Sequence, residues 1–164
     1  MKTIYFIGGT MGVGKTTVGK NLNKKLRKSV FLDGDWCWYS NPFQVTEETK
    51  KMVVENICFL LNQFINCSAY ENIIFCWVMH KQEVIDNIVS KLNLENCRIK
   101  IISLVCDPKE LIKRLNKDIE NGIRTNDILK RSIEYLPMYN FIESIKIDVS
   151  NLIPDAVSDI ICSI

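Results

Sequence analysis

Hydrophobic residues along the chain form two repeating patterns. Short unbroken runs of β-branched and aromatic residues are typical of strands covered on both faces. Between these runs, apolar residues recur at every third or fourth position, which predicts amphipathic helices. The predicted strands are residues 3–7, 30–32, 73–77, 99–105 and 145–149. Strands that alternate with helices in this way indicate an α/β fold, with a parallel sheet and helices on both of its faces.

Capping residues predict where several helices begin and end. Thr46, followed by two glutamates, begins a long helix, and Asp107 before a proline is typical of an N-cap. The spacing of apolar residues extends the first helix to about Lys28. Pro137 ends a helix near the C-terminus, and Pro154 starts the last one.

The length of 164 residues predicts one domain, residues 1–164. Hydrophobic residues make up 47% and charged residues 24%, close to the average of globular proteins. No apolar run approaches the ~18 residues of a membrane span, and a signal-peptide pattern is missing, so we expect a soluble cytoplasmic protein. Seven cysteines without a Cys-x-x-Cys pair, together with a single histidine, favour buried free thiols over a zinc site.

Charge is unevenly distributed, although the net value is only +2. Residues 1–32 contain seven lysines and arginines and no acidic residue, whereas residues 33–164 carry a net charge of −5. The basic segment is typical of a solvated, lysine-rich helix face. The acidic remainder would have little of the phosphate attraction on which nucleic-acid binding depends, so nucleic acid is not an expected partner.

The strongest motif lies between the first predicted strand and the first predicted helix. Residues 9–16 satisfy G-x-x-x-x-G-K-[ST], a loop whose backbone N–H groups surround phosphate oxygens at a helix N-terminus. Lys15 can reach the β- and γ-phosphates, and Thr16 offers a hydroxyl ligand to Mg²⁺. The motif predicts a site for ATP and Mg²⁺ formed by Gly9, Thr10, Met11, Gly12, Val13, Gly14, Lys15, Thr16 and the adjacent Thr17.

Two acidic residues, Asp33 and Asp35, follow the second predicted strand. Because parallel strands end at the edge of the sheet that carries the phosphate loop, these carboxylates should face the γ-phosphate region. Motor ATPases and switch proteins usually carry an acid at the end of a later strand, but the third strand here ends without one. The guanine-specific motif N-K-x-D is also missing.

These motifs resemble those of the P-loop small-molecule and nucleoside-monophosphate-type kinases, particularly shikimate and gluconate kinases. The resemblance rests on residues 9–16, residues 31–35, Asp107-Pro108 with Arg114, and the loop around Arg124. Residues 32–38 and 77–80 also look like a set of uncharacterised bacterial predicted kinases. The resemblance implies the three-layer P-loop NTPase fold, with five parallel strands in the order 2-3-1-4-5 and a short lid.

The resemblance also implies roles for individual residues. Asp33 would hold Mg²⁺ through water, and Asp35 would bind the acceptor hydroxyl and help to remove its proton. Ser150 and Asn151, after the fifth strand, would border the adenine ring. These roles describe phosphoryl transfer, in which catalysis consists mostly of positioning and charge neutralisation.

Three of the five arginines, Arg114, Arg124 and Arg131, lie within 18 residues around a polar segment. Guanidinium groups bind phosphate bidentately and keep their charge, so we expect this segment, about residues 117–127, to be a lid. Arg124 is a candidate for catalysis and, together with Arg114, for nucleotide binding, and Arg131 is a candidate for the acceptor. The alternative is that these are surface arginines on amphipathic helices.

Aromatic residues follow the second and third strands, where an acceptor would lie. Trp36, Trp38, Trp77 and His80 join Asp35 and Arg131 as candidate acceptor contacts, with aromatic core packing and a structural histidine as the alternatives. Shikimate kinase-like proteins have glycines after the third strand, and this chain does not. Few cations lie outside the lid, so a neutral nucleoside, sugar or antibiotic hydroxyl is an option.

The sequence therefore predicts an ATP-dependent kinase that transfers the γ-phosphate to a small molecule such as a nucleoside, nucleotide, sugar acid or similar alcohol. Two alternatives are an ATP-binding regulatory or slow ATPase module and a polynucleotide-end kinase. The oligomeric state stays open between monomer and dimer.

Overall fold

A computed structural model describes all 164 residues of the chain. Its strands are β1 (Lys2–Gly8), β2 (Ser29–Asp33), β3 (Asn72–Cys76), β4 (Cys97–Val105) and β5 (Ile145–Asp148). Its helices are α1 (Lys15–Lys25), α2 (Glu47–Asn66), α3 (Gln82–Val89), α4 (Pro108–Glu120), α5 (Asp127–Tyr135) and α6 (Pro154–Ser163). Two 3₁₀ helices, Gly34–Trp38 and Leu136–Phe141, follow β2 and α5.

The five strands form one parallel sheet in the order β2-β3-β1-β4-β5. The α/β class and the strand order are therefore confirmed. In register, Ile7 of β1 pairs with Cys76 of β3, which pairs with Asp33 of β2. The carboxyl ends of these three strands consequently meet at one edge, where the phosphate loop begins.

The central strand β1 supplies both hydrophobic cores through the alternation of its side chains. Tyr5 and Ile7 face the core that α1, α4, α5 and α6 cover, whereas Ile4 and Phe6 face the core under α2 and α3. All four residues are buried. Full burial of such an apolar side chain stabilises the fold by about 1.5–3 kcal/mol, so the strand that leads into the phosphate loop is anchored on both faces.

Helix ends follow the predicted capping chemistry in two places. The Thr46 hydroxyl accepts a hydrogen bond from the amide of Thr49, whose side chain in turn accepts from the Thr46 amide. The Asp107 carboxylate caps α4 by accepting from the amide of Lys109. Helix α1 ends at Lys25, earlier than predicted, because the Ser29 hydroxyl donates to main-chain carbonyls of the last turn.

The loop between α4 and α5 is shorter than residues 117–127, the segment predicted as a lid. Helix α4 continues to Glu120 because Ile119 extends its apolar stripe into the core below α1 and α4. Two residues beyond the end of the helix, Gly122 has a φ of 69° and donates its amide to the carbonyl of Ile119. The loop between α4 and α5 is therefore residues 121–126. None of the six helices combines the length and the apolar character needed to cross a bilayer.

Candidate active site

The phosphate loop turns from the end of β1 into the first turn of α1. Gly12, with a φ of 82°, lies so close to α4 that a Cβ atom would stand 2.5 Å from a Leu115 methyl carbon. Gly14, with a φ of 105°, is the N-cap residue and provides no side-chain cap. Because no acidic residue lies in the first turn either, the amides at the start of α1 are available to an anion.

Lys15 lies inside this loop, where its Nζ donates to the carbonyl of Thr10 at 2.9 Å. Burial lowers the pKa of Lys15, while the negative charges of Asp35 and Asp33 oppose that shift. The Arg124 guanidinium lowers the pKa of Lys15 further, so these two cations lie close enough to repel each other. A phosphate group between them would relieve that repulsion.

The two predicted acids lie together beside the loop and differ in burial. Asp33 is buried, and its Oδ2 accepts from the Thr16 hydroxyl at 2.7 Å. Its Oδ1 accepts from the backbone amide of Asp35 at 3.1 Å, which caps the first 3₁₀ helix. Asp35 is exposed, and its Oδ1 accepts from the indole N–H of Trp77 at 3.1 Å. One carboxylate therefore faces the phosphate loop, and the other is available to a second molecule.

Two cysteine thiols lie next to these carboxylates, and sequence reasoning assigned them no role. Burial, with the charges of Asp33 and Asp35, raises the pKa of Cys37 to about 11. Burial and the Asp33 charge also raise the pKa of Cys76. Both thiols therefore stay protonated at neutral pH, and neither is suited to act as a nucleophile. All seven cysteines are free, and Cys162 is exposed.

A cavity of about 400 Å³ opens on the other side of the phosphate loop. Arg114, Ser150 and Asn151 line it, next to Gly12 and Val13 of the loop. Three of the four predicted nucleotide contacts that lie outside the loop thus border one cavity, and Arg124 is not among its lining residues. Its size is within the range of pockets that hold nucleotide-sized ligands.

The Arg114 side chain shapes this cavity by bonding to the protein itself. It pairs with Glu110 at 2.9 Å and donates to the main-chain carbonyls of Val149 at 2.8 Å and Ser150 at 3.3 Å. These bonds connect α4 to the segment after β5. The other two candidate arginines pair locally, Arg124 with Asp118 at 3.0 Å and Arg131 with Asp127 at 3.5 Å.

The predicted aromatic residues have different surroundings. Trp77 is buried against Gly34, where a Cβ atom would stand 2.5 Å from the indole. Trp38 packs edge-on against Trp77 at 5.9 Å. Trp36 is 55% exposed and packs edge-on against Phe31. The core-packing alternative therefore describes Trp77, whereas Trp36 is open to solvent beside Asp35.

His80 stacks on Tyr135, with ring centroids 3.9 Å apart and an interplanar angle of 7°. Sequence reasoning did not single out Tyr135, or Tyr139 in the 3₁₀ helix that follows α5. Neither residue belongs to a motif, and the contact joins positions 55 residues apart in the chain. Only the tertiary fold, which places the end of α5 beside the segment after β3, brings His80 and Tyr135 together.

Comparisons with known proteins identify the family of this chain. The sequence pattern of a family described as an AAA domain matches residues 6–134. A shikimate kinase from Bacillus cytotoxicus is 34% identical over 125 residues, which cover 73% of this chain and 69% of the relative.

Among solved structures, the tunicamycin resistance protein of Deinococcus radiodurans has a TM-score of 0.72 at 18% identity and covers 99% of this chain and 95% of its own. A gluconokinase from Sinorhizobium meliloti has a TM-score of 0.69 at 16% identity, covering 96% of this chain and 87% of its own. These distant structures show the shared fold. With the phosphate loop and its acids in place, the sequence matches show that the chain belongs to the P-loop small-molecule kinases.

Proposed function

We propose that this protein transfers the γ-phosphoryl group of ATP to a hydroxyl group of a small-molecule acceptor. The observation that carries the proposal is the arrangement of the two acids. Asp33 is held by the Thr16 hydroxyl beside the phosphate loop, while Asp35, two residues on, is exposed at the same sheet edge. One acid thus faces the nucleotide side of the site, and the other faces an acceptor.

The side chains at the loop fit a magnesium nucleotide. Kinases of this family use ATP and Mg²⁺. The Thr16 hydroxyl and the Asp33 carboxylate form the hard oxygen pair that Mg²⁺ prefers, directly or through water, with phosphate oxygens and water as the other ligands. The cavity lined by Arg114, Ser150 and Asn151 has room for the base and ribose. The bound metal would neutralise charge that develops on the phosphate oxygens.

In the proposed reaction, the acceptor oxygen forms a bond to the γ-phosphorus while the bond from that phosphorus to the β–γ bridging oxygen breaks. Asp35 takes the proton of the acceptor hydroxyl, and ADP leaves with the bond electrons. Lys15 stabilises charge on the β- and γ-phosphates. Arg124 would join it once its guanidinium exchanges the Asp118 carboxylate for phosphate, which closes the 121–126 loop over the site.

The names of the similar proteins indicate several acceptors rather than one. A shikimate kinase, a gluconokinase and a tunicamycin resistance protein are all similar to this chain. We therefore propose the reaction class from the loop and acids and treat the acceptor as the variable part. A search panel should contain nucleosides, nucleotides, sugars, sugar acids and aminoglycoside-like alcohols.

The direct test is coupled ADP release with ATP and Mg²⁺ across that panel. We expect acceptor-dependent release with at least one class of compound. Lys15→Ala should abolish ATP-dependent thermal stabilisation, while Lys20→Ala, an exposed lysine on the same helix, should leave it unchanged. Asp35→Asn should keep nucleotide affinity and reduce transfer by about 100-fold or more. ATP binding or slow hydrolysis without any acceptor effect would instead support a regulatory module and contradict the proposal.

A further inference from the structure

The cavity proposed for the nucleotide has a mostly apolar wall. Six apolar side chains line it, those of Val13, Val18, Val149, Leu152, Ile153 and Val157. The polar side chains along the wall are those of Glu110, Arg114, Ser150 and Asn151. An apolar wall accommodates a planar ring but discriminates poorly between rings of similar size. Among the side chains of this wall, selection of the nucleobase therefore depends on the polar ones.

Arg114 and Glu110 are already bonded to the protein. The Nε atom of Arg114 donates to Glu110 Oε1 at 2.9 Å, and Nη1 donates to the carbonyl of Val13 at 3.4 Å. Its Nη2 atom donates to the carbonyls of Val149 and Ser150. All three nitrogens of the guanidinium group are thus in use. A base that bonded to this ion pair would have to displace contacts within the protein.

Ser150 and Asn151 differ in the same respect. The Ser150 hydroxyl accepts from the amide of Asp107 at 2.8 Å and donates to the Asp148 carboxylate at 2.6 Å. Asn151 is exposed, and its side-chain carboxamide forms no hydrogen bond to the protein. It is therefore the one polar side chain of the wall whose donor and acceptor atoms are both available to a ligand.

A carboxamide can pair with either purine base. It carries an acceptor and a donor side by side, and a rotation of 180° exchanges their positions. Adenine presents the N6–H donor beside the N1 acceptor, and guanine presents the O6 acceptor beside the N1–H donor. One orientation of the Asn151 amide matches adenine, and the opposite orientation matches guanine.

The edge of the cavity is open around Asn151. Ile153, two residues on, is 69% exposed although it lines the same cavity. The 2-amino group, which guanine has and adenine lacks, would stay hydrated at such an edge and would not lose its hydration against an apolar wall. The second difference between the two bases is therefore also tolerated here.

Resting on the nucleotide site of the proposed function, we infer that Asn151 is the residue that reads the purine base, and that the site binds ATP and GTP with similar affinity. The phosphoryl donor is then a purine nucleoside triphosphate of either kind. Base selectivity depends on a single side-chain amide that lies outside the phosphate loop and away from Asp35.

The first test measures binding of the β,γ-imido analogues of ATP and GTP by calorimetry, with Mg²⁺ and without an acceptor. We expect the two Kd values to differ by less than about tenfold. A larger difference overturns the inference and leaves the kinase proposal intact. Because the measurement needs no turnover, it stands even if no acceptor is phosphorylated. Binding of neither analogue overturns both the inference and the proposed function.

Two variants test the role of the amide itself. Asn151→Asp replaces the donor with a second acceptor, which suits the N1–H and N2–H groups of guanine and opposes N1 of adenine. It should shift the ratio of the two Kd values at least about tenfold toward the guanine analogue. The inosine analogue, which lacks the 2-amino group, should gain less. Asn151→Ala should weaken both purine analogues and keep their ratio within about threefold.

Asn116→Asp provides the matched control, because Asn116 is an exposed residue of α4 that does not line this cavity. It adds the same charge and should leave the ratio unchanged. Thermal unfolding without nucleotide shows whether each variant is folded. An unchanged ratio in Asn151→Asp, or an equal shift in both aspartate variants, overturns the role of Asn151. Unchanged affinities in Asn151→Ala also overturn it.

Discussion

Replacing Trp77 with phenylalanine would remove the one side-chain donor that orients Asp35. The indole N–H donates to Asp35 Oδ1 at 3.1 Å, and Trp77 itself is fixed between Gly34 and Trp38. A hydrogen bond to a charged group contributes about 1.5–3 kcal/mol, and the exposure of Asp35 places this one at the lower end. Because about 1.4 kcal/mol corresponds to a factor of ten in rate, Trp77→Phe should lower kcat about tenfold.

The variant should keep the affinity for ATP, because Trp77 does not line the nucleotide cavity. The smaller ring should also leave a gap beside Gly34, which we expect to reduce the free energy of unfolding by about 1–2 kcal/mol. ADP release with the preferred acceptor gives kcat and KM, nucleotide titration gives ATP affinity, and urea unfolding gives stability. The three measurements separate positioning of the carboxylate from general loosening of the fold.

Trp36→Phe serves as the control, since Trp36 is 55% exposed and makes no hydrogen bond to Asp35. Its kcat should stay within about twofold of the native value. Asp35→Asn combined with Trp77→Phe should be no slower than Asp35→Asn alone, because the tryptophan acts through that carboxylate. Undiminished turnover in Trp77→Phe, or equal loss of ATP affinity and turnover, would refute the positioning role.

Three further predictions concern the loop, the acid-sensitive segment after β5 and a thiol. Gly12→Ala should lower the free energy of unfolding by at least about 1–2 kcal/mol, because Gly12 has a positive φ. The loss should exceed that of Gly122→Ala, because only a Cβ atom at Gly12 would collide with Leu115. Equal losses in urea unfolding would contradict the close packing of Gly12 against Leu115. Hydrogen bonds from the hydroxyl and the backbone amide of Ser150 lower the pKa of Asp148 below 3.8. As the pH falls, the Asp148 carboxylate is therefore protonated in the unfolded chain before it is protonated in the folded one, and stability falls below about pH 4. Asp148→Asn should therefore be less stable at pH 7, with the difference closing toward pH 3, and a constant difference would contradict this. Because the pKa of Cys37 is about 11, little of its thiol is ionised at pH 8, and it should react with iodoacetamide at least about 100-fold more slowly than free cysteine. Peptide mapping measures this rate, and a rate similar to that of free cysteine would contradict the protonated state.

The fold was predictable because local patterns and the tertiary structure agree in most places. Buried parallel strands read as largely apolar runs, as in β1, β2 and β3, whereas β5 alternates isoleucines with polar residues. The end of α4 was harder to predict, because polar residues surround Ile119, and the stripe that keeps the segment helical depends on a core formed by other elements. Strand order came from the resemblance, since hydrophobic patterning does not determine which strands are neighbours.

The candidate site also contains residues that the sequence could predict and contacts that it could not. The loop residues 9–16 and the acids after β2 are two short local motifs that follow predicted strands, so sequence alone could identify both as candidates. The position of Trp77 under Asp35 and the stacking of His80 on Tyr135 arise from contacts between distant segments. Asp35 and Trp77 are 42 residues apart in the chain, and no local pattern connects them.

The strand order explains how so short a chain can separate its two substrates. The phosphate loop leaves β1, which lies at the centre of the sheet with β3 on one side and β4 on the other. The segments after β4 and β5 therefore form the wall of the cavity proposed for the nucleotide, while the segments after β2 and β3 supply Asp35, Trp77 and His80 on the proposed acceptor side. Because the γ-phosphate would lie at the carboxyl end of β1, the proposed nucleotide side and the proposed acceptor side approach it from opposite sides of this central strand. Under the proposed function, a change after β2 or β3 should therefore alter turnover without disturbing the cavity on the other side of the loop, and the Trp77→Phe variant measures this separation.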